Sequence, residues 1–267
     1  MKRLIILSTS PEGRVAKRIH ESAKNAGLQS RICTLDEAAN FSDDELRSSI
    51  ILPRIAPHAN IQGVRALRTL ESRGATVINL AASWIISRNK WESYQAFNKA
   101  NVPTPSTMIV PSEQYETYVK NLGTPFIFKP REGTHGEGIE IIHTANDLKA
   151  KEGLAQEYIA EADGSDIRVF VVGDNAVAAM KRTASAGDFR ANLHQGATGE
   201  NFDIDEQLER VAVAASTSLG LDIAGVDIVL SHKGPLVLEV NPSPGLGIEA
   251  YTGSSVVDEM INLVKTL

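Results

Sequence analysis

Leu236-Val237-Leu238-Glu239-Val240-Asn241-Pro242-Ser243-Pro244-Gly245 reads as a buried strand that stops in a Pro/Gly-rich loop. A carboxylate inside such an apolar run is costly unless it is paired or binds a cation. Strand period turns Glu239 and Asn241 to one face. Upstream, Ile223 to Leu230 is a second apolar run with a single carboxylate, Asp227, and Ser231-His232-Lys233-Gly234 between the runs is a turn signal. A hairpin folded about His232-Lys233 places Asp227 opposite Glu239. Three oxygen-bearing side chains then converge, as a hard cation such as Mg²⁺ requires. The competing reading is polar residues at a strand end, with Asn241 starting a turn. The matching register of all three favours the metal.

The 267-residue chain is long enough for one large domain or two to three small ones. Its net charge of −6, without a basic tail, argues against bulk nucleic-acid binding. Cys33 is the lone cysteine, which excludes an internal disulfide framework and fits a reducing compartment. No apolar run approaches a membrane span or a signal-peptide core, so a cytoplasmic protein is expected.

In chain order, strands are expected at 3–8, 28–35, 50–54 and 76–79, alternating with helices over 11–26 and 61–73, the pattern of a parallel sheet covered on both faces. Two helical pieces follow, over 81–87 and 90–100, and Asn101-Val102-Pro103-Thr104-Pro105 opens a further domain at the strand 107–110. The strand Pro125 to Pro130 carries Lys129. After it, Gly133, Gly136 and Gly138 form a loop whose backbone N–H groups can approach phosphates. The spacing is neither that of a P-loop nor of a dinucleotide fingerprint. Taken alone, the loop is as readily an ordinary turn. The strand 154–159 ends near Gln156-Glu157, either an adenine-reading hinge or a plain strand end. A hairpin spans 166–183. The polar loop 186–200, with Asp188, Arg190, Asn192, His194 and Gln195, is either functional or a solvated surface. Helices over 205–219 and 253–267 complete the pattern.

Jointly these stretches resemble the ATP-grasp ligases: Phe126-Ile127-Phe128-Lys129-Pro130, Glu132-Gly133-Thr134-His135-Gly136-Glu137-Gly138, Gln156-Glu157-Tyr158-Ile159, Asp166-Ile167-Arg168, Asp188-Phe189-Arg190-Ala191-Asn192, Gly225-Val226-Asp227 and the opening stretch. Leu52-Pro53-Arg54-Ile55 and Asn89-Lys90-Trp91 point within them to the RimK-type α-L-glutamate ligases. The resemblance implies an α/β ATP-grasp fold, α+β in its ATP-binding part. A small N-terminal parallel domain (1–88) would precede central (89–160) and C-terminal (161–267) subdomains.

It also implies roles. Lys90, Lys129 and the glycines 133, 136 and 138 would hold phosphates, Glu157 and Tyr158 the adenine, and Asp166 the nucleoside. Arg190 and Asn192 would act at the reacting end, with Arg190 stabilising an oxyanion. Asp227, Glu239 and Asn241 would bind two Mg²⁺, or Mn²⁺ in their place, with Glu239 bridging. The implied partners are ATP, an amino acid (glutamate) and a peptide or protein C-terminus, in a homo-oligomer without membrane or nucleic-acid contacts. Acceptance of a small-molecule acceptor and a catalytically silent nucleotide-binding module are the alternatives. Two departures stand out: a reduced central helix at 146–151 and a compact stretch between Leu35 and Ile50.

Overall fold

The computed structural model describes residues 2–111, 113–133, 137–185 and 196–267. The first sheet is parallel, in the order β2-β1-β3-β4, built from β1 (Arg3–Ser8), β2 (Ser30–Cys33), β3 (Ser49–Arg54) and β4 (Thr76–Val77). Side chains alternate across a strand, and here both faces are buried. Leu4 and Ile6 of β1 enter one core, and Ile5 and Leu7 enter another. The helices α1 (Arg14–Asn25), α2 (Leu35–Ala39), α3 (Asp43–Arg47) and α4 (Asn60–Ser72) connect these strands.

The expected strand 28–35 is shorter than its apolar pattern. Thr34 caps α2 through a reciprocal bond pair with Glu37, and this capping box ends the strand at Cys33. Likewise the helix expected from Pro11 begins at Arg14, after a turn in which Gly13 N donates to Ser10 O.

After α5 (Ala81–Arg88) and α6 (Lys90–Lys99), an antiparallel sheet in the order β5-β8-β6-β7 is formed by β5 (Thr107–Val110), β6 (Phe126–Lys129), β7 (Glu140–Ile142) and β8 (Gly153–Glu157). The helix α7 (Tyr115–Leu122), not anticipated from the pattern, covers it with Tyr118 and Leu122. Residues 145–148 make only a 3-10 turn, which accounts for the reduced central helix.

The third sheet, β11-β10-β9-β12-β13, is antiparallel. It contains β9 (Ser165–Val172), β10 (Asn175–Thr183), β11 (Thr198–Asn201), β12 (Ile223–Ser231) and β13 (Gly234–Asn241), with α8 (Glu206–Ser218) on one face. The end of the expected 186–200 loop is thus β11, which pairs with β10 from Met180 to Thr183. The helix expected from Gly253 forms as α10 (Val256–Lys265); it starts three residues later because Gly253 takes a left-handed φ of 69° and ends the preceding short α9 (Glu249–Thr252).

The hairpin β12–β13 has Asp227 opposite Glu239, as expected, but not through the turn alone. Pairing Ser231 with Gly234 would by itself set Asp227 against Leu238. A register shift between Asp227 and Ile228 leaves Leu238 as the extra residue and brings Glu239 into line.

The first and third sheets share one core. α1 packs on α10, and Leu4, Ile6 and Ile19 lie in one cluster with Phe170, Met260 and Ile261. Asn79 locks the two together. Buried to 2% exposure, its Nδ2 donates to Ile223 O (2.7 Å) and Pro242 O (2.9 Å), while its Oδ1 accepts from Asp222 N (2.7 Å) and Ile223 N (3.0 Å). Among the described residues no helix is long and apolar enough to cross a membrane. Replacing Asn79 by Ala strands two backbone carbonyls and two N–H groups in a dry interface. We expect a loss of about 2–4 kcal/mol in urea unfolding, and a loss below about 1 kcal/mol would show that Asn79 does not lock the sheets.

Candidate active site

The site lies where the second and third sheets face each other. Pro103 O accepts from Val237 N (2.8 Å) and Thr104 Oγ1 donates to Val237 O (2.8 Å), so the linker into β5 runs along the edge of β13. Leu238, the extra residue of the hairpin, lines a small cleft with Lys90, Tyr94, Phe97, Lys129 and Gln156.

A row of charges crosses the third sheet because its register brings them together. Arg182 pairs with Asp166 between β10 and β9, Arg168 with Asp227 between β9 and β12, and Asp227 with Glu239. Arg182 donates to both oxygens of Asp166 at 2.6 Å, and its Nη2 lies 3.0 Å from Asp227 Oδ1. Arg168 donates to Asp227 from Nε and, at 2.8 Å, from Nη2. Each of these four side chains is at most 15% exposed. Two guanidiniums balance two carboxylates, which makes burial of all four tolerable.

Burial, and next to it the charge of Asp227, pushes the Asp166 carboxyl up to about 6. Burial also raises Asp227, but Arg168 and Arg182 outweigh it and hold that carboxyl below its ordinary range. Burial lowers Arg182 too, and the two aspartates overcome it and raise its pKa.

Lys129, at the end of β6, donates to Gln156 Oε1 (2.6 Å), and Gln156 Nε2 donates to Thr107 Oγ1 (3.0 Å). Burial pushes the Lys129 ammonium down to about 8, against the opposing pull of Glu239. Lys90 opens α6 beside its N-cap Asn89; its Nζ donates to Gly133 O (3.1 Å) and lies 3.9 Å from Glu239 Oε2. The cations Lys90 and Lys129 from one side therefore face the carboxylate Glu239 from the other.

Other expected positions are placed less simply. Gly133 (φ 142°) and Gly138 (φ 70°) have backbones that favour glycine, and a Cβ at Gly138 would stand 2.8 Å from Pro130 Cγ. The Glu157 side chain accepts from Ser106 N (3.3 Å) and lies 4.0 Å from Lys233 Nζ, tying β8 to the β12–β13 turn. Tyr158 is half-buried just beyond β8. Gly136, Arg190 and Asn192 lie outside the described residues.

The residues present fit a hard divalent cation at one end of the row. Glu239 is 47% exposed on its side chain, with the 3.9 Å Lys90 contact as its ion pair, and Asn241 Oδ1 accepts from Ser243 N (2.9 Å). Asp227 has both oxygens on guanidiniums and becomes a ligand only by sharing one of them. No cluster of three His, Cys, Asp or Glu side chains forms a closed metal cage among the described residues.

By sequence Arg168, Lys181, Arg182 and Arg190 are cations near the site available to a substrate carboxylate, with Arg168 alternatively paired to Asp166; instead Arg168 binds Asp227 and Arg182 binds Asp166. Arg182 faces the row and Lys181 the other side, 3.9 Å from Glu200. The alternation of Lys181 and Arg182 was a signal that one of them faces the cleft, but only the register says which. Gln156, the partner of Lys129, was visible beside Glu157.

The raised Asp166 carboxyl sets a pH dependence. Between its ordinary 3.8 and about 6 the folded protein holds a proton that the unfolded chain has lost. The stability this contributes is complete below the lower value and disappears as pH rises through the upper one. Relative to Asp166→Asn, the native protein should lose on the order of 2 kcal/mol between about pH 4 and about pH 7. Paired urea titrations check this; a difference that does not change with pH would assign Asp166 an ordinary pKa.

Comparison with known proteins agrees with this geometry. Residues 87–264 match the model of the RimK-like ATP-grasp domain. A probable alpha-L-glutamate ligase of Shewanella amazonensis is 35% identical over 98% of this chain and 95% of the relative. The fold superposes on the ATP-grasp ligase PsnB complexed with minimal precursor (TM-score 0.76, 18% identity, 100% of each chain). It also superposes on a RimK domain ATP-grasp protein from Sphaerobacter thermophilus (TM-score 0.71, 18% identity, 98% of each chain). The chain has the ATP-grasp fold and belongs to the RimK-like ATP-grasp family, with the activity class of an ADP-forming carbon–nitrogen ligase.

Proposed function

We propose that this protein activates a carboxylate with ATP and joins it to the amine of an amino acid, glutamate, at the C-terminus of a peptide or protein. The observation that carries this reading is the meeting of Lys90 and Lys129 with Glu239 across one cleft, with Asn241 two residues further along the same strand. A carboxylate attacking the γ-phosphorus of ATP brings two anions together, and fixed charges must offset their repulsion.

Tyr94 and Leu238 line the apolar side of the small cleft, and Lys129 and Lys90 stand at it for the phosphates. Glu239 and Asn241 would hold Mg²⁺, with Asp227 as a further ligand if it shares an oxygen. When bound, Mg²⁺ would neutralise phosphate charge and orient the γ-phosphoryl group. ADP leaves, and the amine attacks the acyl phosphate to give an amide and phosphate. Arg190 is the proposed cation for the resulting oxyanion. The similarity to probable alpha-L-glutamate ligases supports glutamate as the added amino acid.

A screen of the twenty amino acids with a peptide acceptor, read as ADP release and as mass increment, tests this. Glutamate should give the fastest ADP release and an increment of one or more glutamyl residues. A preference for lysine, arginine or an aliphatic amino acid would overturn the glutamate assignment.

Lys129 yields a second expectation. Its ammonium, lowered by burial to about 8, is lost from the free protein as pH rises through that value. The attraction for phosphates is lost with it, so ATP affinity should fall from about pH 7 to about pH 9. Lys129→Arg, charged throughout, should flatten the dependence; parallel calorimetric titrations that fall equally with pH would remove Lys129 from the phosphate site.

A further inference from the structure

β3 reaches its C-terminal edge as Leu52-Pro53-Arg54. Ligands of open α/β sheets bind beyond that edge of the strands. Arg54 Nη2 donates to Pro244 O at 2.7 Å, just past Asn241 in the loop that follows β13. Its Nε is sealed from solvent and has no hydrogen-bond partner among the described residues. Burial pushes the guanidinium down to about 10, and no described carboxylate opposes it.

The other cations around the cleft each have an acidic neighbour. Arg168 and Arg182 are bound to Asp227 and Asp166, Lys181 lies 3.9 Å from Glu200 and Lys90 3.9 Å from Glu239. Arg88 and Lys129 both feel the charge of Glu239. Arg54 differs from these in having a sealed Nε and no anion among the described residues. Charges withdrawn from water are ordinarily paired, and an anionic ligand at this half-buried arginine would complete the pairing.

The position of Arg54 suits that ligand. A Cβ on Gly225 would stand 2.8 Å from Pro244 Cβ and 3.2 Å from Arg168 Nη1, so Pro244, which bonds Arg54, and Arg168 both border Gly225. Arg54 thus reaches the loop beside the strand that carries Asp227. Thr9 steadies the strand end, accepting from Ala56 N through its hydroxyl at 2.9 Å.

We propose that Arg54 binds a non-reacting carboxylate of the substrate and so selects acidic amino acids or peptides. This rests on the ligase reading above. A planar guanidinium is the group best matched to a carboxylate, and Arg54 as a residue is only partly buried. That carboxylate belongs either to the free amino acid or to the C-terminal residue of the peptide acceptor.

Titration calorimetry of the full chain with L-glutamate, a peptide ending in glutamate and ATP, each added separately, distinguishes these sources. Arg54→Met should weaken one of the two carboxylate ligands by about 10- to 100-fold and leave ATP affinity within about two-fold. The ligand affected identifies the source. Arg54→Lys, which keeps the charge and loses the planar fork, should fall between the two. Arg54→Met should also keep or raise Tm, because it removes an uncompensated half-buried cation, whereas an arginine with only a structural role would lower it. Equal binding of both carboxylate ligands to the native protein and to Arg54→Met, or binding of neither to the native protein, would overturn the proposal. Failure of the native protein to bind ATP or release ADP would instead overturn the ligase reading, and the carboxylate titrations would still decide the role of Arg54.

Discussion

The buried pairing of Arg168 and Arg182 with Asp166 and Asp227 is the constraint from which the site is built. Each of these ions is expensive to remove from water, and each is tolerable only with the others in place. The four side chains come from three strands, so their pairing holds β10, β9 and β12 in one register. A slip of one residue in any of these strands would turn its charged side chain into the apolar face against α8. The same register delivers Glu239 to the end of the row, where it meets Lys90 across the cleft.

The cleft is electrically asymmetric. On the third sheet the charges are compensated and buried. On the second, Lys129 is half-buried with a neutral amide as its hydrogen-bond partner, and its ammonium is correspondingly weakened. A polyanion entering between the sheets would restore the charge that burial has made unfavourable. Binding energy is then gained where the empty protein is least comfortable, which is how a preorganised electrostatic site operates.

The first sheet takes part in this arrangement. It shares a hydrophobic core with α10 and β9, and Asn79 bonds it both to the start of β12 and to the loop after β13. Arg54 touches the same loop two residues further on, at Pro244. A ligand held at the edge of the first sheet therefore bears on the loop that follows Glu239 and Asn241. That short loop would link the proposed substrate selection to the proposed phosphate end of the site.

Much of this was legible in the linear chain. Alternation of apolar runs with helical stripes determined the parallel first sheet, and the isolated carboxylates Asp227 and Glu239 marked two strands that share a polar end. Local chemistry unread in the apolar pattern, such as the Thr34 capping box, moved element boundaries. Tertiary structure alone decided which cations serve the site. Arg168, Lys181 and Arg182 lie on one hairpin as candidate cations, but the register consumed Arg168 and Arg182 in pairs with aspartates and turned Lys181 to the opposite face. It left Arg54, distant in the chain, without an anion among the described residues. The pairing of Asp227 with Glu239 likewise depends on the extra residue Leu238 in β13. Sequence periodicity specifies which face a side chain occupies; which charge neutralises which is settled only when strands far apart in the chain are brought into register.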